Sequence, residues 1–352
     1  MPARSLRTVL GATRGAGPWL IVVSLVVGCA PVPAGSTAPS VSAAAPGASA
    51  AASAPAPAAS GTAPREGFRI VGYVGDADGT VAQVQFDKLT HINYAFLIPN
   101  ADGSVADLAN PWKLDELTAR AHAAGVKVLI SVGGWGWDAQ FEAFAADPST
   151  RAAFVDLIRQ FVLDHGIDGA DIDWEYPDPG PSATNYLALM SELRAALPRP
   201  ALLTAAVVAE GATAEGIVSD IFPLVDFINV MAYDAPGPAH SPYSFAEASL
   251  AYWSARGLPR ETTVLGVPFY SRPVEVPYRK LVATSAEAPN VDALDYFGTT
   301  VNYNGIATIK AKTELAMRAA SGIMVWALAH DTSDSTSLLS AIDETVRAAG
   351  RR

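Results

Sequence analysis

The chain has 352 residues, half of them hydrophobic, a formal net charge of −11 and a single cysteine, Cys29. That composition supports one large core, its acidity argues against nucleic acid or a polyanionic substrate, and one cysteine excludes an intrachain disulfide. The five histidines form no HExxH or Cys/His pattern and no glycine-rich phosphate turn follows a strand, so neither a metal nor a nucleotide cofactor is expected.

Arg4, Arg7 and Arg14 precede the apolar run WLIVVSLVVG, and no acidic residue occurs before Cys29. A positive segment followed by a short apolar one reads as a secretory signal over residues 1–28. The run is too short for a comfortable membrane span. Its end, VVGC, resembles the bacterial lipoprotein box, which implies cleavage before Cys29 and a lipid on its sulfur. The alternative is an ordinary secretory signal with an incidental cysteine. Residues 29–65 are almost entirely Ala, Pro, Ser, Gly and Thr, with too few large side chains to offset ordering entropy, and read as a flexible tether. The expectation is a protein secreted across the inner membrane and held at the cell surface or envelope by a lipid on Cys29.

From Phe68 onward, short β-rich runs alternate with helical patterns. The strand candidates are FRIVGYV, HINYAFLI, KVLISVGG, GADIDWEY, LLTAAVVA, FINVMAY, TTVLGVPFY and GIMVWALA. Most are apolar on both faces, as strands covered by helices on one side and a core on the other should be. Among the helices, Asp147 caps and Pro148 opens a pattern of Phe154, Leu157, Ile158, Phe161 and Val162 that Gly166 closes. Tyr186, Leu187, Met190, Leu193 and Leu197 repeat likewise before Pro198; further patterns run through Ile309 and Ala316, and from Leu338 to Val346. Eight β-then-α units predict an α/β fold, a closed (β/α)8 TIM barrel over residues 66–352. An open doubly wound sheet is the alternative, but it usually has fewer strands and a phosphate turn.

The fourth run, DGADIDWEYP, holds Asp168, Asp171, Asp173 and Glu175. Side chains alternate faces along a strand. Ile172 and Trp174 should therefore face the helices, and Asp171, Asp173 and Glu175 should point into the barrel toward its C-terminal mouth, where catalytic groups of this fold sit. Three carboxyls so close cannot all ionise cheaply, so at least one holds a proton near neutral pH and is able to donate it. Glu175, the outermost, is best placed to reach a substrate bond. Asp168 has the other parity and is assigned to ordering the start of the strand. An acid row satisfied by buried Arg or Lys, or solvated at the surface, is the bland alternative; Arg272, just past the seventh strand, is the one clear cation near a strand end.

These residues resemble glycoside hydrolase family 18, the chitinase family. DGADIDWEYP resembles its DxxDxDxE signature, SVGGW (131–135) its third-strand element, and INYAF its second strand. NVMAYD (229–234), GVPFYSR (266–272) and MVWAL around Trp326 resemble its sixth, seventh and eighth strands. The resemblance spans about residues 68–348 and every barrel strand.

The resemblance implies a chitinase acting on chitin or N-acetylglucosamine oligomers by a retaining, substrate-assisted mechanism. In it Glu175 donates the proton, Asp173 orients the substrate's 2-acetamido group, Asp171 shares a proton with Asp173 and Tyr233 hydrogen-bonds the acetamido group. Trp326 would floor the −1 site and Trp135 would contact substrate, with Trp137 following it on the same turn. Met231, Asp234, Tyr73, Phe96, Tyr270 and Arg272 complete the expected contact set, although for single aromatics near strand ends core packing is an equally open reading. Many relatives carry Trp-Glu on the eighth strand where this chain has Trp326-Ala327. About thirty residues separate Arg272 from Tyr303, too few for a large inserted α+β subdomain, which implies a shallow cleft suited to internal cuts. A monomer is expected. Rival readings are an endo-β-N-acetylglucosaminidase or peptidoglycan hydrolase of the same family, and a non-catalytic sugar-binding barrel, which would typically lack the acid at Glu175.

Overall fold

The computed structural model describes residues 67–351. The expected signal (1–28), the tether (29–65) and Cys29 therefore lie outside the described residues. Strands β1 (Arg69–Gly75), β2 (His91–Leu97), β3 (Lys127–Gly134), β4 (Gly169–Trp174), β5 (Leu202–Val208), β6 (Phe227–Met231) and β7 (Thr263–Pro268) are all parallel. A short antiparallel hairpin follows, β8 (Ala293–Tyr296) with β9 (Thr299–Asn302), and then the eighth barrel strand, β10 (Gly322–Trp326). The barrel closes in the order β1-β10-β7-β6-β5-β4-β3-β2. The α/β barrel read from the sequence is the fold observed.

Helices α1 (Pro111–Ala123), α2 (Asp138–Ala146), α3 (Pro148–Asp164), α4 (Pro181–Ala196), α5 (Tyr243–Ala255), α6 (Tyr278–Thr284), α7 (Ile306–Ala319) and α8 (Leu338–Ala348) accompany the strands. They do not follow every strand. The crossover from β1 to β2 and that from β5 to β6 contain only 3-10 turns, Val81–Gln83 with Phe86–Lys88 and Ala212–Gly216 with Ser219–Ile221. The expectation of eight β-then-α units is corrected at these two places. Residues 76–90 and 209–226 are short, and Gly79, Gly211, Gly216 and Pro223 interrupt any helical run. Between β7 and α7 the insertion amounts to α6, one 3-10 turn and the hairpin, so no large subdomain is built on the barrel. Among the described residues no helix is long and apolar enough to cross a membrane.

Strand parity sorts the core into two layers. Val71, Tyr73, Phe227, Met231, Val264 and Met324 fill the inside of the barrel. Ile70, Ile130, Ile172, Trp174, Val230 and Val325 pack outward against the helices. Trp174 stacks on Phe141 of α2 at 5.0 Å, meets Tyr186 of α4 edge-on at 5.6 Å, and donates its indole N–H to Asp138 Oδ1 at 2.7 Å. These contacts fix the outward face of β4, and with it the inward direction of Asp171 and Asp173. At the start of the strand, Asp168 accepts from the Val128 backbone N–H (2.9 Å) and Lys127 Nζ (2.7 Å) and contacts His122 Nε2 (2.7 Å), tying β4 to β3 and α1. Helix α3 begins as its residues dictate: the Asp147 carboxylate accepts from the Ser149 and Thr150 N–H groups, with Pro148 at the first helical position.

Candidate active site

Asp171 lies level with Ser131 of β3 on one side and Thr204 of β5 on the other. Its Oδ1 accepts from the Thr204 hydroxyl (2.5 Å) and Asn229 Nδ2 (3.4 Å), and its Oδ2 from Tyr73 Oη (2.6 Å) and Ser131 Oγ (2.8 Å). Burial pushes its pKa up, and these four neutral donors pull against that. Four donors spread over both oxygens are a hydrogen-bond set that suits the carboxylate form.

Asp173, one pleat higher, is 3% exposed, and its Oδ1 has no hydrogen-bond partner among the described residues. Burial, then the charges of Glu175 and Asp171, push its pKa well above the ordinary carboxylate range. The proton of this pair of aspartates therefore belongs on Asp173 rather than on Asp171, since Asp173 carries the unmet polar atom and lacks the donors. Glu175 follows directly after the last residue of β4. Its pKa is raised by burial; a hydrogen bond from Tyr176 opposes the rise and the charge of Asp234 adds to it.

A cleft of about 720 Å³ opens over these acids. Asp173, Glu175, Tyr233, Trp326, Trp135 and Met231 line it, and so do Tyr73, Phe96, Asp234, Tyr270 and Arg272. Of the catalytic, binding and lipidation residues expected from the sequence, Asp171 sits beneath the cleft, Cys29 lies outside the described residues, and the others line it. Their exposures differ in ways that matter. Trp135 is 78% exposed. Trp326 stacks on Phe96 (5.4 Å) and meets Tyr73 edge-on (5.4 Å), which braces its ring against the mouth. Tyr73 itself is 1% exposed and uses its hydroxyl on Asp171, so it supports the acid row from below. The third-strand glycines allow this closeness. Gly133 and Gly134 have φ of 107° and 87°, and a Cβ on them would come within 2.4 Å of the Asp173 carbonyl and 2.6 Å of the Phe96 ring.

Asp234 and Arg272 are committed largely to each other. Asp234 Oδ1 accepts from Arg272 Nε (2.9 Å) and contacts His240 Nδ1 (3.2 Å), and its Oδ2 accepts from Tyr270 Oη (2.8 Å) and Arg272 Nη2 (3.0 Å). Burial alone would raise Asp234, but these hydrogen bonds and the Arg272 charge hold it below the ordinary range. Arg272 also reaches Glu275 at 2.7 Å. The cation near the seventh strand thus serves the rim, and among the described residues no basic side chain hydrogen-bonds the three central acids.

The sequence reading did not assign roles to Ser131, Thr204 and Asn229, or place Tyr176, Thr213 and Glu275 in the cleft. The first three carry a legible signal: each is a polar residue at an inward position of an otherwise apolar strand, level with Asp171 or next to it. Among the described residues no cluster of His, Cys, Asp or Glu is arranged to hold a metal ion.

The sequence model of the family described as Glycosyl hydrolases family 18 matches residues 69–331. The chain belongs to glycosyl hydrolase family 18. A solved family-18 chitinase from the chitin utilization locus of Flavobacterium johnsoniae is 30% identical, superposes with a TM-score of 0.72, and is matched over 80% of this chain and 95% of its own. A probable endochitinase of Caenorhabditis elegans is 35% identical over 222 residues, which is 52% of this chain and 36% of that protein. Chitinase 1 of Aphanocladium album is 29% identical over 240 residues, 54% of this chain and 56% of that protein. The chain thus spans between about a third and three fifths of the length of these two curated relatives.

Proposed function

We propose that the protein is a chitinase that hydrolyses β-1,4 bonds between N-acetylglucosamine units by a retaining, substrate-assisted route. The observation that carries this is the central acid column: an anchored Asp171, a proton-holding Asp173 with an unmet oxygen, and Glu175 at the cleft floor with a raised pKa. The names of the relatives support the substrate class.

In this reading Glu175 gives its proton to the bridging glycosidic oxygen as the bond to the anomeric carbon breaks. The carbonyl oxygen of the substrate's own 2-acetamido group attacks that carbon from the opposite face, forming an oxazolinium ion. Asp173 accepts a hydrogen bond from the acetamido N–H and, having passed its proton toward Asp171, stabilises the positive charge. Tyr233, whose hydroxyl burial keeps protonated, holds the acetamido carbonyl in line. Water then attacks the anomeric carbon as its bond to the acetamido oxygen breaks and the amide reforms, Glu175 takes a proton from that water, and the product keeps the original configuration. No second nucleophilic carboxylate is used, unlike the common retaining scheme. Trp326, braced by Phe96 and Tyr73, offers an apolar ring to a sugar face.

The test is product analysis by mass on N-acetylglucosamine oligomers, N-glycans and muropeptides, side by side. Cleavage of the oligomers at internal bonds is expected, because the short insertion after β7 leaves the cleft open. Preference for N-glycans or muropeptides would reassign the substrate within the family, and strict release of dimer from chain ends would contradict the open cleft.

We also propose that the mature chain begins at Cys29 and is held at a membrane by lipid on that sulfur, with residues 29–65 as spacer; the VVGC ending supports this. Two or three acyl chains suffice for stable anchoring. Replacing Cys29 with Ser is expected to move the protein from the membrane to the soluble fraction, and unchanged sedimentation with membranes would refute the anchor.

A further inference from the structure

Lys312 of α7 is 0% exposed and, among the described residues, its hydrogen bonds reach no carboxylate. Its ammonium donates to three neutral oxygens: the Ser241 carbonyl (2.6 Å), the Ser241 hydroxyl (2.7 Å) and Asn304 Oδ1 (2.7 Å). A buried cation of this kind costs free energy unless every proton is matched, and here three donors meet three acceptors. The Ser241 hydroxyl in turn donates to the Ala232 carbonyl at 2.8 Å. Ala232 is fully buried and directly precedes Tyr233.

Residues 232–241 form a loop closed on itself by the Ala235 N–H to His240 carbonyl bond (2.9 Å). On the cleft side Arg272 and Tyr270 hold it through Asp234. On the other side the Lys312 contacts tie it to α7 and, through Asn304, to the chain leaving the hairpin. Asn304 Nδ2 adds a bond to the Ser241 carbonyl (2.8 Å).

We propose that Lys312 is a positioning residue for Tyr233: its ammonium, acting through Ser241, fixes the Ala232 carbonyl and the part of the loop that aims the tyrosine into the cleft.

A serine hydroxyl has one proton. While that proton goes to Ala232, the oxygen facing Lys312 must receive one from the lysine. The charged lysine supplies it. A neutral amine has two N–H donors for three acceptors and a lone pair that competes for the serine proton. Loss of the lysine proton therefore releases the Ala232 carbonyl, a buried acceptor. Burial lowers the Lys312 pKa to about 7, with the Asp292 charge opposing. Other titratable groups near it are His240, which precedes Ser241, Tyr243, two residues after it, and Tyr303, just past the hairpin. From α8, Glu344 pairs with Lys310 at 3.5 Å; on α5, Glu247 is exposed; and Arg318 donates to the Tyr243 hydroxyl at 3.1 Å. The loop is thus set at acid pH and loosens as pH rises through about 7.

This inference rests on the reading of Tyr233 as an acetamido contact, so its test uses binding instead of turnover. In a Glu175→Gln background, the affinity for the N-acetylglucosamine tetramer is measured by calorimetry from pH 6 to pH 9. The expected fall in that background is about tenfold. Adding Lys312→Met is expected to weaken binding at pH 6 by a similar factor, about tenfold, and to flatten the pH dependence to within about threefold. Adding Ser241→Ala, which keeps the lysine and removes only the relay, is expected to do the same and decides the matter if Lys312→Met does not fold. An unchanged slope and affinity in the folded variants would make Lys312 a stability residue and overturn the proposal. Absence of tetramer binding at every pH in Glu175→Gln alone would instead overturn the chitinase reading, and this inference with it.

Discussion

Glu175→Gln is expected to lower the turnover of a chromogenic chitobioside by about 10²- to 10⁴-fold while leaving oligomer binding largely intact. The amide keeps the shape and one hydrogen bond but has no acidic proton to give to the leaving oxygen. The pH dependence sharpens the test. Burial raises the Glu175 pKa, and in the proposed mechanism the acid form is the active one. Wild-type rate should therefore hold at low pH and fall as pH rises through that pKa, while the residual rate of the variant should lose this limb. Near wild-type turnover in Glu175→Gln would assign proton donation elsewhere, and a wild-type rate that stays flat through pH 9 would deny that a raised carboxyl supplies the proton. A sugar-binding barrel would show neither turnover nor a change in it.

Much of the barrel is legible because its strands are apolar on both faces and punctuated by Gly, Pro and Asn. The acid column is legible for a stronger reason. Period-two alternation puts 171 and 173 on one face, and bulky Ile172 and Trp174 declare the other as the helix-packed side. What escapes notice is physical too. The helix-free crossovers after β1 and β5 have the right length for a connection but too many glycines and polar residues to show whether a helix forms. The hairpin hides because its two-residue turn is Phe297-Gly298, with φ of 52° and 87°. Such a turn usually advertises itself by Asn-Gly or Asp-Gly, and a phenylalanine in the left-handed region sends no such signal. Lys312 escapes because a lysine in an amphipathic helix reads as solvated. Nothing in its neighbours in sequence reveals the three oxygens that Ser241 and Asn304 bring to it from other elements. Ser131, Thr204 and Asn229 could have been found by applying to β3, β5 and β6 the parity argument used on β4.

Asp173→Asn should separate catalysis from stability. Turnover of the chitobioside is expected to drop about 10²-fold or more, since the amide neither takes up charge opposite the oxazolinium ion nor exchanges a proton with Asp171. Stability is expected to move the other way, and its dependence on pH gives the sign. In the unfolded chain Asp173 ionises near the ordinary carboxylate value of about 3.9. In the folded chain burial and two neighbouring acids keep it protonated to much higher pH. Between those two values the native state binds the extra proton, so wild-type stability is full below the unfolded pKa and is lost as pH rises toward the folded one, by about 1.4 kcal/mol per pH unit. Asparagine does not titrate and escapes that loss. The variant's advantage in Tm over wild type should therefore grow from pH 5 to pH 8, by about 2 °C for each kcal/mol in a domain of this size. A Tm difference that is constant with pH would mean that Asp173 is not held protonated in the fold. The acid column would then lack the strain that its chemistry draws on: a carboxyl kept neutral against solvent, ready to become an anion only when the substrate brings a positive charge to meet it.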